Sequence, residues 1–338
     1  MTTRRAALAG LGAAAGLALG PAPVAARKRA RKPPRLREGD VVGLVEPAGY
    51  TSGPEVLARV RHTVEGMGLV PRIGDHVGAR YGYLAGTDDE RAADINAMFA
   101  DDDVRAVFAV RGGWGSARIL DRLDWDLIRR NPKLLVGFSD VTGLHMAFAA
   151  KAQYPTISAP NLSSSWLKRS WESFWWLAFA GAAPVLGGAR QDLPIPFATI
   201  APGKARGKML GGNLTVLTAL VGTGWLPDFD GAILFLEDVG EAEYRIDRMM
   251  SQLSLSGILG KLSGLVFGQC TRCATDEPDY AGFTVPDVVR QWVEPLGIPA
   301  FLGANIGHIR DQLSIPLGVE VEIDADAGTI AVLEPVVA

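Results

Sequence analysis

The chain has 338 residues, 48% hydrophobic and 21% charged, which allows two ordinary domains or one large one and excludes a disordered polymer. A formal charge of −3 gives no support for nucleic-acid binding. No internal apolar run reaches the roughly 20 residues that a membrane-crossing helix needs.

The first element is a basic head, Arg4-Arg5, followed by an apolar stretch from Ala6 to Leu19 and a small-residue exit at Val24-Ala25-Ala26. This order predicts a cleaved export signal of the twin-arginine variety over residues 1–26, and so a periplasmic or otherwise exported protein with no stable membrane insertion afterwards. The signal carries two arginines and no acids, so its removal leaves the body at −5. Residues 27–38, rich in Lys, Arg and Pro, read as a flexible basic leader.

From Asp40 onward, short apolar runs alternate with amphipathic stretches. Residues 41–45, 69–73, 104–110 and 134–138 read as strands, and residues 53–67 and 88–99 as helices, the second capped by Thr87 or Asp88. Such alternation predicts an α/β fold whose N-terminal domain, residues 39–185, is a parallel sheet with flanking helices. The Gly- and Pro-rich residues 186–206 read as a linker of edge or loop structure. A smaller C-terminal domain of α/β or mixed-sheet type follows over residues 207–338. Within it residues 211–221 and 244–255 read as helices; residues 232–236, 264–268, 300–302, 319–321 and 330–332 read as strands. The active site is expected in the cleft between the domains.

The sharpest chemical feature is the strand Val107–Val110 running into Arg111-Gly112-Gly113-Trp114-Gly115-Ser116. Three glycines allow a tight turn and close approach of a ligand to the backbone. A serine opening the next helix would then project like the nucleophile of a strand–turn–helix elbow, although Arg118 occupies the place of the final glycine in Gly-x-Ser-x-Gly. A structural helix cap is the competing reading of Ser116. A serine nucleophile needs a base, and four histidines exist. His62 reads as solvated, His76 as part of a polar loop and His145 as a packed helical residue. His308 follows an apolar, glycine-rich strand end, where catalytic groups are held rigidly. For the orienting acid, Glu237 stands at the end of the buried run Ile233–Leu236, and strand alternation turns Asp238 the other way. The pair Cys270 and Cys273 cannot complete a zinc site and predicts a local disulfide in an oxidising compartment. Neither a metal nor a cofactor is expected.

Several blocks then occur in a fixed order: Tyr83-Leu84-Ala85-Gly86-Thr87-Asp88 with Arg91, Arg111–Ser116, Gly137-Phe138-Ser139-Asp140-Val141-Thr142, Gly212-Asn213-Leu214, Leu236-Glu237-Asp238 leading to Tyr244–Arg248, and Gly307-His308. Together they resemble the LD-carboxypeptidase family, which includes the microcin-immunity peptidases. The resemblance implies Ser116 as nucleophile, His308 as base and Glu237 as its orienting acid, with the Ala117 N–H and a glycine amide such as Gly113 binding the oxyanion. It implies murein tetrapeptides as substrates, losing a C-terminal D-alanine through an acyl-enzyme, and a homodimer as the family's habit. Trp114 stands where tyrosine is usual, and the export signal departs from the cytosolic recycling members. Two alternatives stay open: a related peptidase or amidase acting on a non-murein peptide or peptidyl-nucleotide, and a non-catalytic peptide-binding protein.

Overall fold

A computed structural model describes residues 31–338 except Asp276 and Pro278. The export signal expected over residues 1–26 lies outside the described residues. The described part of the leader is not free: Leu36 is buried, its N–H donates to the Ala178 carbonyl at 2.8 Å, and the Ala338 N–H donates to the Pro33 carbonyl at 2.9 Å. The buried Pro33 and Leu36, these backbone bonds and the Lys32–Glu334 salt bridge together anchor this segment beside the C-terminus.

The strands are β1 (Val41–Val45), β2 (Val70–Ile73), β3 (Val104–Ala109), β4 (Leu134–Gly137), β5 (Thr156–Ser158), β6 (Val185–Gly187) and β7 (Ala198–Ala201). They continue with β8 (Lys204–Asn213), β9 (Ile233–Val239), β10 (Gly264–Thr271), β11 (Ala300–Leu302), β12 (Ile315–Leu317), β13 (Glu320–Asp324) and β14 (Thr329–Val332). The α-helices are α1 (Pro54–Gly66), α2 (Asp88–Ala100), α3 (Trp125–Arg130), α4 (Thr142–Ala147), α5 (Lys168–Ala178), α6 (Leu214–Ala219), α7 (Glu243–Leu255) and α8 (Val285–Val293).

Two sheets result. The first has the order β12-β5-β4-β3-β1-β2, parallel throughout except for β12. Its central strands are buried along nearly their whole length, as runs such as Leu134-Leu135-Val136 require of a sheet covered on both faces. The second sheet has the order β6-β14-β13-β8-β9-β10-β11-β7, with a parallel centre from β8 to β11 and antiparallel flanks. Residues 186–206 supply most of β6 and all of β7, which lie at opposite edges of this sheet. The fold is therefore the two-sheet α/β architecture that the alternating pattern predicts. The halves interlock, because β12 crosses back from the C-terminal segment to pair with β5.

Local chemistry explains the element boundaries. Thr87 caps α2 through a capping box in which its hydroxyl accepts the Glu90 N–H and the Glu90 carboxylate accepts the Thr87 N–H. The helix expected from Gly211 begins three residues later, since β8 runs on through Asn213. Gly211 has φ +129°, and a Cβ there would stand 1.9 Å from the Phe235 carbonyl oxygen, so the backbone packs against β9 where no side chain fits. The Asn213 side chain accepts the Val216 N–H at 3.1 Å and starts α6. Of the aromatic residues near α5, Trp166 and Trp171 pack around the buried Phe174, whereas Trp175 and Trp176 stay partly exposed.

One contact joins the two sheets next to the site: the Asn213 N–H donates to Thr142 Oγ1 at 2.9 Å. Gly212 makes it achievable. Its φ is +144°, and a Cβ there would fall 2.4 Å from Thr142 Oγ1. Gly212→Ala is expected to cost about 1–3 kcal/mol of stability, read as a lower midpoint in urea unfolding; an unchanged midpoint would refute the tight approach.

Candidate active site

The parallel strands of both sheets point their C-terminal ends at a shared crevice, and three side chains meet there. Glu237 stands near the end of β9, fully buried. His308 lies on the loop between β11 and β12. Its Nδ1 donates to Glu237 Oε2 at 2.7 Å. A carboxylate only accepts, so this bond places the proton on Nδ1 and leaves Nε2 as the acceptor. Nε2 in turn accepts from Ser139 Oγ at 2.9 Å. Asp238 turns to the opposite side, as alternation requires, and its carboxylate accepts from Asn213 Nδ2 at 3.0 Å and from the Thr215 N–H at 2.9 Å.

The hydroxyl at the end of this relay is not the one expected. Ser116 is fully buried; its N–H donates to Asp140 Oδ2 at 2.7 Å and its Oγ donates to the Asp140 carbonyl. Gly115, at φ +132°, swings the chain so that Ser116 enters the 3-10 helix Ser116–Arg122 with its side chain under α4. A Cβ on Gly143 of that helix would stand 2.8 Å from Ser116 Oγ. Ser116 is thus a brace, and Ala117, beside it, is removed from the oxyanion position with it. Gly113 stays at the crevice.

Ser139 has the geometry assigned to Ser116. It follows β4, opens a short 3-10 helix that continues into α4, and holds φ +64°, a left-handed conformation that serine rarely adopts. Strand, strained residue and helix in that order make a nucleophile elbow. The sequence carried a signal for it: Gly137-Phe138-Ser139 is the first half of Gly-x-Ser-x-Gly, directly after a buried strand, with Val141 in place of the final glycine. Gly112 packs on this serine, since a Cβ there would stand 3.1 Å from Ser139 Cβ and 3.3 Å from Ser139 Oγ. The glycine loop therefore belongs to the site as a wall rather than as the source of the nucleophile.

The other histidines lie elsewhere. His145 is fully buried: Nε2 donates to the Gly137 carbonyl and Nδ1 accepts from Thr156 Oγ1, both at 2.8 Å. Burial lowers its pKa to about 4, so it is a neutral brace under β4. His76 pairs with Asp94 at 2.7 Å, and His62 is exposed on α1. Cys270 and Cys273 are disulfide-bonded at the end of β10. Among the described residues, no group of three or more His, Cys, Asp or Glu side chains is arranged to hold a metal ion.

A hydroxyl, an imidazole and a buried carboxylate in series between two α/β sheets define a serine hydrolase. Family models for the LD-carboxypeptidase N-terminal and C-terminal domains match residues 42–159 and 206–323. The chain belongs to the LD-carboxypeptidase family and is a serine carboxypeptidase. It is 33% identical over 314 residues to the probable murein peptide carboxypeptidase of Bacillus subtilis (strain 168), covering 90% of this chain and 94% of that protein. The microcin C7 self-immunity protein MccF of Escherichia coli superposes in its apo state with a TM-score of 0.80 at 25% identity, covering 91% of this chain and 99% of the other. The muramoyltetrapeptide carboxypeptidase from Oxalobacter formigenes superposes with a TM-score of 0.76 at 29% identity, covering 87% and 99%.

Electrostatics poise the imidazole. Burial, the largest single influence, disfavours its charged form; the Glu237 charge and hydrogen bond, with a smaller contribution from the Asp238 charge, raise the pKa above the usual 6.5. A general base works when neutral, so kcat/KM should rise with pH through an acid limb centred above 6.5. Glu237→Gln removes the main raising influence and keeps the burial. The limb should then move to lower pH while the plateau falls, on the order of 10⁴-fold in a comparable relay. A limb that stays in place in the pH–rate profile of that variant would show that Glu237 does not act on His308.

Proposed function

We propose that the enzyme removes a C-terminal D-amino acid, D-alanine, from murein tetrapeptides through an acyl-enzyme formed on Ser139. The observation that carries this reading is the continuous hydrogen-bonded relay Glu237–His308–Ser139, with a strained serine at its reacting end. Ser139 Oγ attacks the carbonyl that precedes the terminal residue while His308 Nε2 takes its proton. The imidazolium, held by Glu237, then protonates the departing amine. Water then gives a proton to the same nitrogen and attacks the acyl carbon; the C–Oγ bond breaks, His308 returns the proton to Ser139 Oγ, and the shortened peptide leaves.

The developing oxyanion falls to the main-chain N–H of Asp140, the residue after the nucleophile, and to the Gly113 N–H of the facing loop. Each such donor contributes about 10²–10³-fold to turnover in comparable sites. Support for murein as the substrate comes from the relatives in Bacillus subtilis and Oxalobacter formigenes, named for murein peptide and muramoyltetrapeptide cleavage. The export signal expected over residues 1–26 would carry the enzyme to the compartment where intact murein resides.

A second reading has its own support. MccF has been solved with aspartyl sulfamoyl adenosine and, as a point mutant, with adenosine monophosphate, and a relay that attacks one acyl carbon attacks another. Purified enzyme incubated with a murein tetrapeptide and, separately, with an aminoacyl-nucleotide analogue separates the two by mass spectrometry. The murein reading expects loss of one D-alanine from the tetrapeptide and an intact nucleotide; the reverse outcome transfers the assignment. Ser139→Ala should reduce turnover by about 10⁴-fold or more. Ser116→Ala should spare the chemical step and cost about 1–3 kcal/mol of stability, because it strips a buried carbonyl of its donor. Loss of turnover in Ser116→Ala with retention in Ser139→Ala would overturn the assignment.

A further inference from the structure

The first sheet changes winding direction between β1 and β3, since β2 lies to one side of β1 and β4 and β5 lie beyond β3. In open α/β sheets the crevice outside such a switch point is where ligands bind. Here it is a cleft of about 430 Å³ lined by Gly49, Tyr50, Tyr83, Arg111, Gly113 and Trp114. Two loops form its floor and are tied together by the Gly49 N–H, which donates to the Gly112 carbonyl at 2.9 Å. Gly112 is also the residue that packs on Ser139, so the cleft opens directly beside the nucleophile.

Arg111 is the cation in this cleft, and its situation differs from that of its neighbours. Arg91 and Arg118 are both paired with Asp88. Arg111, by contrast, is exposed, and its one side-chain hydrogen bond among the described residues is from Nη1 to the Tyr50 carbonyl at 2.9 Å. That bond steers the guanidinium over the cleft floor and leaves most of its five N–H donors uncommitted. The acid behind it is Glu46, which is buried and accepts the Gly78 N–H at 2.9 Å. Burial raises the Glu46 pKa, and hydrogen bonds from Thr51 and Gly78, with a smaller pull from the Arg111 charge, only partly offset it.

A carboxypeptidase must tell the last residue of a peptide from an internal one, and only the last carries a free carboxylate one residue beyond the scissile carbonyl. One residue spans on the order of 3.5 Å, within reach of a long side chain rooted next to the glycine that touches the nucleophile. A guanidinium offers a carboxylate two parallel hydrogen bonds and so fixes its orientation as well as its charge. We propose that Arg111 receives the C-terminal carboxylate of the leaving residue, and that this contact makes the enzyme a carboxypeptidase rather than an endopeptidase. The inference rests on the peptide-cleaving reading above and names the subsite within it.

The test compares a murein tetrapeptide with a free C-terminus to the same peptide ending in a carboxamide. Wild type should favour the free acid. Arg111→Gln should lower kcat/KM on the acid about 100-fold, mostly through KM, leave the amide within about threefold, and recover in part as Arg111→Lys. Equal losses on both peptides, or no preference by wild type, would overturn the subsite. Should wild type cleave neither peptide, the reaction reading falls by itself, and calorimetry in the Ser139→Ala background decides the subsite. There Arg111→Gln should weaken binding of the free acid about 100-fold, and unchanged or absent binding refutes it.

Discussion

The imidazole of His308 is the single bridge on which the chemistry depends. Its Nδ1 faces a carboxylate carried by the second sheet, and its Nε2 faces a hydroxyl carried by the first. The relay exists only while the sheets keep their relative position, and the surroundings of His308 are built to hold it. Gly307, at φ +114°, lets the loop come so close to Glu237 that a Cβ there would stand 3.0 Å from Glu237 Cβ. Thr271 Oγ1 donates to the His308 carbonyl at 3.0 Å, and the Phe138 ring lies 4.8 Å from the imidazole centroid. Seven residues after His308, β12 joins the first sheet and anchors the loop from its far end. A hydrogen-bonded relay tolerates errors of only a few tenths of an ångström, so this clamping is what turns three polar groups into a catalytic unit.

The elbow that presents Ser139 is costly and is held by buried polar contacts. A serine at φ +64° stores on the order of 1–3 kcal/mol, which persists only where neighbours determine the backbone completely. Those neighbours are identifiable. Asn161 Oδ1 accepts the Phe138 N–H at 3.1 Å on one side of the serine. On the other, Ser116 meets both the carboxylate and the carbonyl of Asp140. Burial raises the Asp140 pKa while the Ser116 hydrogen bonds and the buried Arg91 lower it, so its charge depends on this company. Arg91 in turn donates to the Pro47 and Gly115 carbonyls, tying the two cleft loops to α2. Ser116 is important for a reason other than nucleophilicity: it fastens the glycine loop to the elbow.

Much of this was legible in the amino-acid pattern, and the failures have physical causes. Buried strands such as Leu134–Val136 announce themselves by apolar runs, and the capped start of α2 by Thr87 and Glu90. The opposed directions of Glu237 and Asp238 follow from the two-residue period of a strand. The identity of the serine is only half legible: Gly137-Phe138-Ser139 offers the start of Gly-x-Ser-x-Gly, but what singles Ser139 out is a backbone dihedral, whereas Ser116 stands beside three conspicuous glycines. Gly112 and Gly113 are needed for close approach to Ser139 and Gly49, so the loop belongs to the site through its backbone rather than through the Ser116 hydroxyl. The start of α6 differs for a related reason: Gly211 and Gly212 fit a helical register, yet their role is to let β8 touch Phe235 and Thr142.

The division of labour between the sheets bears on how one relay can serve different substrates. Ser139, His308 and Glu237 act on the acyl carbon and its departing atom, and any activated or peptidyl acyl group presents those. Nothing in the relay itself separates a peptide from a peptidyl-nucleotide. Discrimination has to come from whatever touches the group that leaves, and the loops that reach the crevice at the winding switch, 46–51 and 110–116, are independent of the elements that carry the base and its acid. Within these loops Ala48, Val110 and Ser116 are buried and fixed by packing, whereas Arg111 and Trp114 are exposed, so those side chains can change while the relay stays in place. On this argument substrate class is written in the glycine loop and its arginine, and reaction class in the interdomain hydrogen bonds.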